Sequence, residues 1–405
     1  MIRAGRLELT DADGRTHIFQ GAPGPTVAIR LHDRRLHWLL ALSPRLAAGE
    51  AYMNGTLTIE KGDIFAFVDL CAMNYWGYAT HPLARIGLVL GWLARPFVQF
   101  NPIRRARRNV AHHYDLSDEL YALFLDSDRQ YSCAYFTEPG VGLEQAQEDK
   151  KRHIAAKLLL KPGMKVLDIG CGWGGLALFL AERCGVEVLG ITLSEHQLAI
   201  ARSRAAAKGL SERARFELMD YRQLDGQFDR IVSVGMFEHV GVPQYRAFFD
   251  QIMALLRPDG IALLHSIGCM WGPHAIDPWI DKYIFPGGYI PALSEVMPAV
   301  ERSGLYATDI ELLYPHYAET IKAWRTNFAA NRARAAALYD ERFCRMWEFY
   351  LSCSEMAFRR LNHMVFQMQL ARDPFVVPRT RDYIQATERD LKPRRPTLVP
   401  DRAAG

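Results

Sequence analysis

Val166-Leu167-Asp168-Ile169-Gly170-Cys171-Gly172-Trp173-Gly174-Gly175 joins an apolar, strand-like run to the start of a helix-like one. Glycines at such a junction let a ligand approach the backbone closely, and the first helical turn offers free N–H groups. Gly170, Gly172 and Gly175 fit Gly-x-Gly-x-x-Gly, so on the glycines alone a dinucleotide and S-adenosylmethionine are comparable ligands. Two further features tilt the balance. Asp168 stands just ahead of the loop, where a carboxylate repels a pyrophosphate and suits an amino-acid ligand bearing a sulfonium. The next apolar run ends in Thr192-Leu193-Ser194, without the acidic residue that a nicotinamide dinucleotide's ribose usually meets. Both favour S-adenosylmethionine. A structural role for Asp168, capping loop amides, is compatible with that.

The elements that must position this loop alternate. The pattern predicts strands at 165–169, 186–192, 215–219, 228–234 and 260–267, with helices at 174–183, 195–208 and 243–256 between them. Such alternation demands a mostly parallel sheet covered on both faces. Ahead of it, Arg6 to Thr10 and Thr16 to Phe19 flank an Asp13-Gly14 turn, Val27 to Leu31 is a further strand, and Ile64 to Cys71 is helical. These read as a small α+β unit. Residues 271 to 370 are rich in aromatics and helix formers. From Asp373 onward, Pro374, Pro378, Pro393, Pro396 and Pro400 are expected to break regular structure.

A chain of 405 residues, 49% hydrophobic and 23% charged, is globular and long enough for two or more units. Its net charge of +4 is too mild to indicate a nucleic-acid partner. Seven cysteines without a Cys-x-x-Cys pair argue against a zinc ribbon or a disulfide framework and fit a reducing, cytoplasmic setting. The N-terminus has no apolar stretch of a signal peptide. Leu83 to Phe100 is the most apolar segment, but Arg85, Arg95 and Pro96 interrupt it, and a spanning helix needs about 20 apolar residues. It is followed by Arg104-Arg105-Ala106-Arg107-Arg108, either a solvated helix face or a surface for anionic lipid head groups.

Beyond these features the chain resembles the cyclopropane-fatty-acyl-phospholipid synthases, including the mycolic acid cyclopropane synthases. The likeness rests on His113-Tyr114-Asp115-Leu116, Gln130-Tyr131-Ser132-Cys133-Ala134-Tyr135-Phe136, the glycine loop, Val234-Gly235-Met236-Phe237-Glu238-His239-Val240-Gly241 and Leu264-His265-Ser266-Ile267-Gly268. Lys282-Tyr283-Ile284-Phe285-Pro286-Gly287-Gly288 and His316-Tyr317-Ala318-Glu319-Thr320 extend it. It is close from about Arg108 to Arg372. It is looser before that, where Gly49-Glu50-Ala51-Tyr52-Met53-Asn54-Gly55 is similar to the N-terminal domain of the phospholipid-acting members.

The resemblance implies an α/β fold, a class I Rossmann-like S-adenosylmethionine-dependent methyltransferase core with a small α+β N-terminal domain. Residues 1–105 would form a lipid- and membrane-binding domain and linker, 106–385 the catalytic domain with its acyl-site elements, and 386–405 a flexible tail. It implies transfer of a methylene group to the cis double bond of an unsaturated phospholipid acyl chain, or, in related members, a methyl or methylene branch. A bound bicarbonate would serve as base, cradled by Cys133, Glu238, His265, Tyr317 and the backbone N–H of Ile267. Of the neighbours Glu238 and His239, only one is expected to face the site, because adjacent residues tend to point apart. The matching cofactor positions are Tyr131 and Ser132; Val166, Leu167, Asp168, Ile169, Gly170, Cys171, Gly172, Trp173 and Gly174; Thr192, Leu193, Ser194, Glu195, His196 and Gln197; and Asp220, Tyr221 and Arg222. A C-terminal cysteine given a role in the family matches Cys353, whose sequence neighbours supply no base, so a buried structural thiol is the favoured reading. Trp271, Trp279, Tyr283, Phe285, Tyr289, Tyr306, Tyr314 and Tyr317 are expected around the acyl chain. The family likeness also implies peripheral contact with an anionic membrane and a homodimer.

Overall fold

The computed structural model describes residues 2–75 and 116–392. The apolar segment Leu83 to Phe100, the cluster Arg104 to Arg108 and the motif residues His113 to Asp115 lie outside the described residues.

The N-terminal unit is a four-stranded sheet with three helices. Its elements are β1 (Ala4–Thr10), β2 (Thr16–Gln20), β3 (Ala22–Leu31), α1 (Arg35–Leu42), α2 (Pro44–Met53), β4 (Leu57–Lys61) and α3 (Ile64–Met73). The strand order is β2-β1-β3-β4, with β1 and β3 parallel and the other neighbours antiparallel. The expected turn forms as Asp11 Oδ1 accepts the N–H groups of Asp13 and Arg15, both at 2.9 Å, with Gly14 at φ 83°. Val27, Ile29 and Leu31 are buried at alternate positions, so one sheet face meets the core. Asp63 caps α3 through the Ala66 N–H at 2.7 Å.

The larger unit carries α4 (Asp118–Phe124), α5 (Leu143–Lys157), β5 (Lys165–Ile169), α6 (Gly175–Cys184), β6 (Glu187–Thr192), α7 (Glu195–Ala207), β7 (Ala214–Leu218), β8 (Phe228–Val234), α8 (Tyr245–Leu255) and β9 (Leu256–Cys269). After these come α9 (Pro278–Tyr283), α10 (Leu293–Ser303), β10 (Tyr306–Leu312), α11 (His316–Ala330), α12 (Arg332–Leu338), α13 (Glu341–Arg360), β11 (His363–Ala371) and α14 (Asp382–Asp390). Seven strands pair in the order β10-β11-β9-β8-β5-β6-β7. The pairs among β5 to β9 are parallel, and β11 runs antiparallel to both its neighbours. The Rossmann-like core expected from the alternating pattern is therefore present. Strand order reverses between β5 and β8, and a crevice opens beyond the carboxyl ends of strands at such a switch point.

One expectation fails, and one region holds more than the sequence showed. Residues 271 to 370, rich in aromatics and helix formers, also contain β10 and β11, which the sequence pattern concealed. In β11, His363-Met364-Val365-Phe366-Gln367-Met368-Gln369-Leu370-Ala371, polar and unbranched residues dilute the β signal, yet Gln367 and Gln369 are fully buried. After Asp373 the prolines do not abolish structure. Helix α14 crosses the expected boundary at residue 385 and docks on α5, with Glu388 Oε1 at 2.5 Å from His153 Nδ1. The two prolines between Asp373 and this helix lie outside it, so its interior keeps every N–H donor.

The two units share one core. Val27, Phe67 and Leu70 cluster with Trp279, Trp347 and Leu351. Polar links surround them: Arg360 Nε to Asp69 at 2.6 Å, Lys282 Nζ to Glu50 at 2.6 Å, and Arg45 Nε to Asp277 at 2.8 Å. No helix among the described residues is long and apolar enough to cross a membrane.

Candidate active site

The glycine loop closes the carboxyl end of β5. Gly170, Gly172 and Gly174 have φ of 82°, 54° and 79°, values that a side chain resists. A Cβ on Gly170 would also sit 2.8 Å from Met236 Cβ, on the loop leaving β8. The Gly170 and Cys171 N–H groups donate to Ile191 O at 2.9 and 3.0 Å and tie the loop to β6. Around it lies a cavity of about 160 Å³.

Many of the residues expected there from sequence line this cavity: Tyr131, Ser132, Asp168 to Trp173, Thr192, Leu193, Gln197 and Asp220 to Arg222. Six do not. Val166 and Leu167 are fully buried in β5. Gly174 packs against Phe216 and Ala201 instead. Ser194 accepts the Gln197 N–H at 3.2 Å as the cap of α7. Glu195 and His196 then follow on the exposed side of its first turn, with His196 3.3 Å from Asp118. The sequence reading missed Arg129, Gln130, Lys150, Met219, Gly235, Met236 and His239, which reach the wall from the connection between α4 and α5, from α5 itself and from the segments following β7 and β8.

Asp168 is 2% exposed, and its Oδ2 has no hydrogen-bond partner among the described residues. Burial pushes its carboxyl up to about 7, against the pull of Lys150. Asp220, in contrast, is closed by Arg222, with Nε to Oδ1 at 2.8 Å and Nη2 to Oδ2 at 2.6 Å.

A second cavity of about 810 Å³ lies beside the first, within the size range of ligand pockets. Its lining is mainly apolar and comes from both units: Leu7, Ile29, Phe67 and Val68 on the N-terminal side, Trp279, Phe285, Ile321, Phe349 and Phe358 on the other. Of the aromatics expected to surround an acyl chain, Trp271, Trp279, Phe285, Tyr289 and Tyr317 line it. Tyr283, Tyr306 and Tyr314 do not; Tyr283 binds Glu50, and Tyr306 and Tyr314 are exposed. Tyr131, Ser132, Gly235 and His239 line both cavities, so these four residues form the partition between them.

Cys133, Glu238, His265, Ile267, Tyr317 and Cys353 all line the larger cavity. Glu238 sits on a short 3-10 turn, Phe237–His239, after β8. Because that turn is not extended, His239 lines the cavity too, contrary to the expectation that the neighbours point apart. His265 lies inside β9, opposite Gln367 on β11. Glu238 Oε1 accepts the Ile267 N–H at 2.7 Å, while Oε2 is buried without a partner among the described residues. Burial pushes this carboxyl up to about 7, opposed by the Ile267 N–H. Burial also holds His265 well below its ordinary value, helped by the Lys150 and Lys157 charges, so the ring is neutral. The Gln367 Nε2 amide donates to His265 Nδ1 at 3.1 Å, which leaves the ring proton on Nε2, buried and unpartnered. The wall thus offers a buried carboxyl oxygen and a buried imidazole N–H, and the Ile267 amide is already engaged. Cys133 and Cys353 bring no nucleophile. Burial raises both thiols far above their ordinary value, and Cys133 Sγ donates to Ala134 O at 3.3 Å.

Residues 102–368 match the model of the mycolic acid cyclopropane synthetase family. A probable fatty acid methyltransferase of Pseudomonas putida is 36% identical over 363 residues, 88% of each chain. The cyclopropane-fatty-acyl-phospholipid synthase of Escherichia coli K12 is 39% identical over 327 residues, 81% of this chain and 83% of that one. The crystal structure of a mycolic acid cyclopropane synthase complexed with SAH and CTAB superimposes with a TM-score of 0.62 at 35% identity, covering 67% of this chain and 99% of that one. The matched region carries the glycine loop, the partition and the wall with the two unpartnered polar atoms, and with it the chain belongs to the mycolic acid cyclopropane synthetase family as an S-adenosylmethionine-dependent, lipid-modifying methyltransferase.

Proposed function

We propose that the protein converts the cis double bond of an unsaturated phospholipid acyl chain into a cyclopropane. The observation that carries this reading is the partition. Tyr131, Ser132, Gly235 and His239 separate a small polar cavity from a large apolar one, so an apolar chain in one comes close to a cofactor in the other. S-adenosylmethionine bound against the glycine loop would supply an activated methyl group. Asp168, with its unpartnered buried oxygen, fits the amino-acid end of that cofactor.

The mainly apolar lining of the larger cavity would hold a soft, uncharged nucleophile away from bulk water, which is most of what alkene methylation asks of a protein. Aromatic rings in that wall would attract a cationic acyl intermediate through their π faces. Glu238 Oε2, the His265 Nε2–H and the Tyr317 hydroxyl suit an oxyanion such as bicarbonate, which would supply the base. Glu238 and His265 hold or release a proton at that wall without a charged cysteine nearby. We further propose that the enzyme works peripherally on anionic membrane from the cytoplasmic side, through the apolar Leu83 to Phe100 and basic Arg104 to Arg108 sequence.

Mass spectrometry of lipids from an unsaturated host expressing the protein tests the reaction. A gain of one CH2 with loss of the double bond, and a ring by fragmentation, is expected. A reduced methyl branch or an exocyclic methylene in its place would assign the related C-methyltransferase reaction, and unchanged acyl chains would overturn the reading.

A further inference from the structure

The small cavity has three lysine or arginine side chains in its wall among the described residues, and two of them are closed by carboxylates: Arg222 by Asp220, and Arg129 by Asp118 at 3.2 Å. Lys150 is different. It comes from the middle of α5, is 1% exposed, and its Nζ donates only to neutral oxygens, Gln130 Oε1 at 2.7 Å and Ser132 Oγ at 2.9 Å. An ammonium can donate three hydrogen bonds, and no ion pair among the described residues includes this one. Burial pulls the Lys150 ammonium down to about 8, opposed by the Asp126 and Asp128 carboxylates, neither of which reaches it as an ion pair, so an anion bound in the cavity would hold its charge. The same wall holds the complementary group, Asp168 with Oδ2 unpartnered. An ammonium without an ion-pair partner and a carboxyl with an unpartnered oxygen therefore line a single small cavity.

We infer that Lys150 and Asp168 together form a receptor for the zwitterionic amino-acid head of the cofactor, with Lys150 taking the carboxylate and Asp168 the ammonium. This rests on the S-adenosylmethionine reading and adds a residue that none of the motifs marks. A zwitterion satisfies both groups and leaves no net charge in the buried site. Pyrophosphate would satisfy Lys150 but set its charge against Asp168, so the pair would also disfavour a dinucleotide at this Gly-x-Gly-x-x-Gly loop. The rival role for Lys150 is a brace that holds Gln130 and Ser132 ahead of Cys133, with no contact to ligand.

Calorimetry on the full chain separates the two, with S-adenosylhomocysteine and 5′-methylthioadenosine as probes. The second keeps the adenosine and the thioether and lacks the amino-acid head. Lys150→Met should lose about 10- to 100-fold in affinity for S-adenosylhomocysteine, the range of a charge-assisted hydrogen bond, and keep its affinity for 5′-methylthioadenosine. Equal losses for both ligands, or no loss for either, would overturn the assignment in favour of the brace. The wild type gives a check that needs no variant: decarboxylated S-adenosylhomocysteine should bind at least about 10-fold more weakly than the parent, and equal binding overturns the proposal. If the wild type binds none of these ligands, the cofactor reading itself has failed, which is a different result.

Discussion

Glu238, a residue of the larger cavity's wall, accepts the Ile267 N–H through Oε1 at 2.7 Å, and its other carboxyl oxygen is buried with no hydrogen-bond partner among the described residues. One oxygen fixes the side chain to β9 and the other is left unpartnered. Glu238→Gln keeps the shape and the bond to Ile267 but not the acid–base function. Turnover on unsaturated phospholipid vesicles should fall about 10²- to 10³-fold with S-adenosylhomocysteine affinity unchanged, as calorimetry will show. Full turnover would remove Glu238 from the chemistry.

The same residue predicts a pH dependence of stability. Burial raises its carboxyl from 4.5 to about 7. The stabilisation that goes with the protonated form is complete below the unfolded value and is lost as pH rises through about 7, a change on the order of 3 kcal/mol. Glu238→Gln does not titrate. Its melting temperature should exceed that of the wild type at pH 8, and the gap should close towards pH 5. A gap that is constant with pH would show that the carboxyl is not protonated in the folded protein.

Gly49 on α2 is the seat of the N-terminal unit against the catalytic one. A Cβ there would lie 2.5 Å from Trp279 Cδ1 and 2.8 Å from Phe349 Cε1, both in the wall of the large cavity. Gly49→Ala should cost about 1–3 kcal/mol by overpacking and lower acyl-chain turnover, while cofactor affinity holds because the small cavity is remote from this contact. Denaturant titration measures the first, and an unchanged midpoint would mean the two units are not rigidly seated on each other.

The basic cluster gives a prediction from sequence alone. Replacing Arg104, Arg105, Arg107 and Arg108 with Gln should weaken sedimentation with anionic vesicles by about 1 kcal/mol per residue, most strongly at low salt. Binding that stays the same while the oligomer mass changes would assign these arginines to a subunit contact instead.

The sequence by itself determined the Rossmann-like core and the place of its cofactor loop. The signals for these are local: a buried strand running into glycines that must take positive φ, and strand and helix periods that alternate along 165 to 267. It also named the Glu238 and His265 wall, through motifs. Tertiary structure decided what depends on elements far apart in the chain. Strand β11 carries too many glutamines and methionines to announce itself, and only pairing with β9 sets Gln367 against His265 and so fixes which ring nitrogen holds the proton. Lys150 reads as one more charge on a polar helix until α5 packs against α6 and α14 and brings it into the same wall as Asp168. The partition between the two cavities joins residues near 131 with residues near 235, and the larger cavity takes one wall from the N-terminal sheet. Spacing along a chain carries no record of which distant faces will meet, because that is settled by the collective burial of apolar surface once the elements exist.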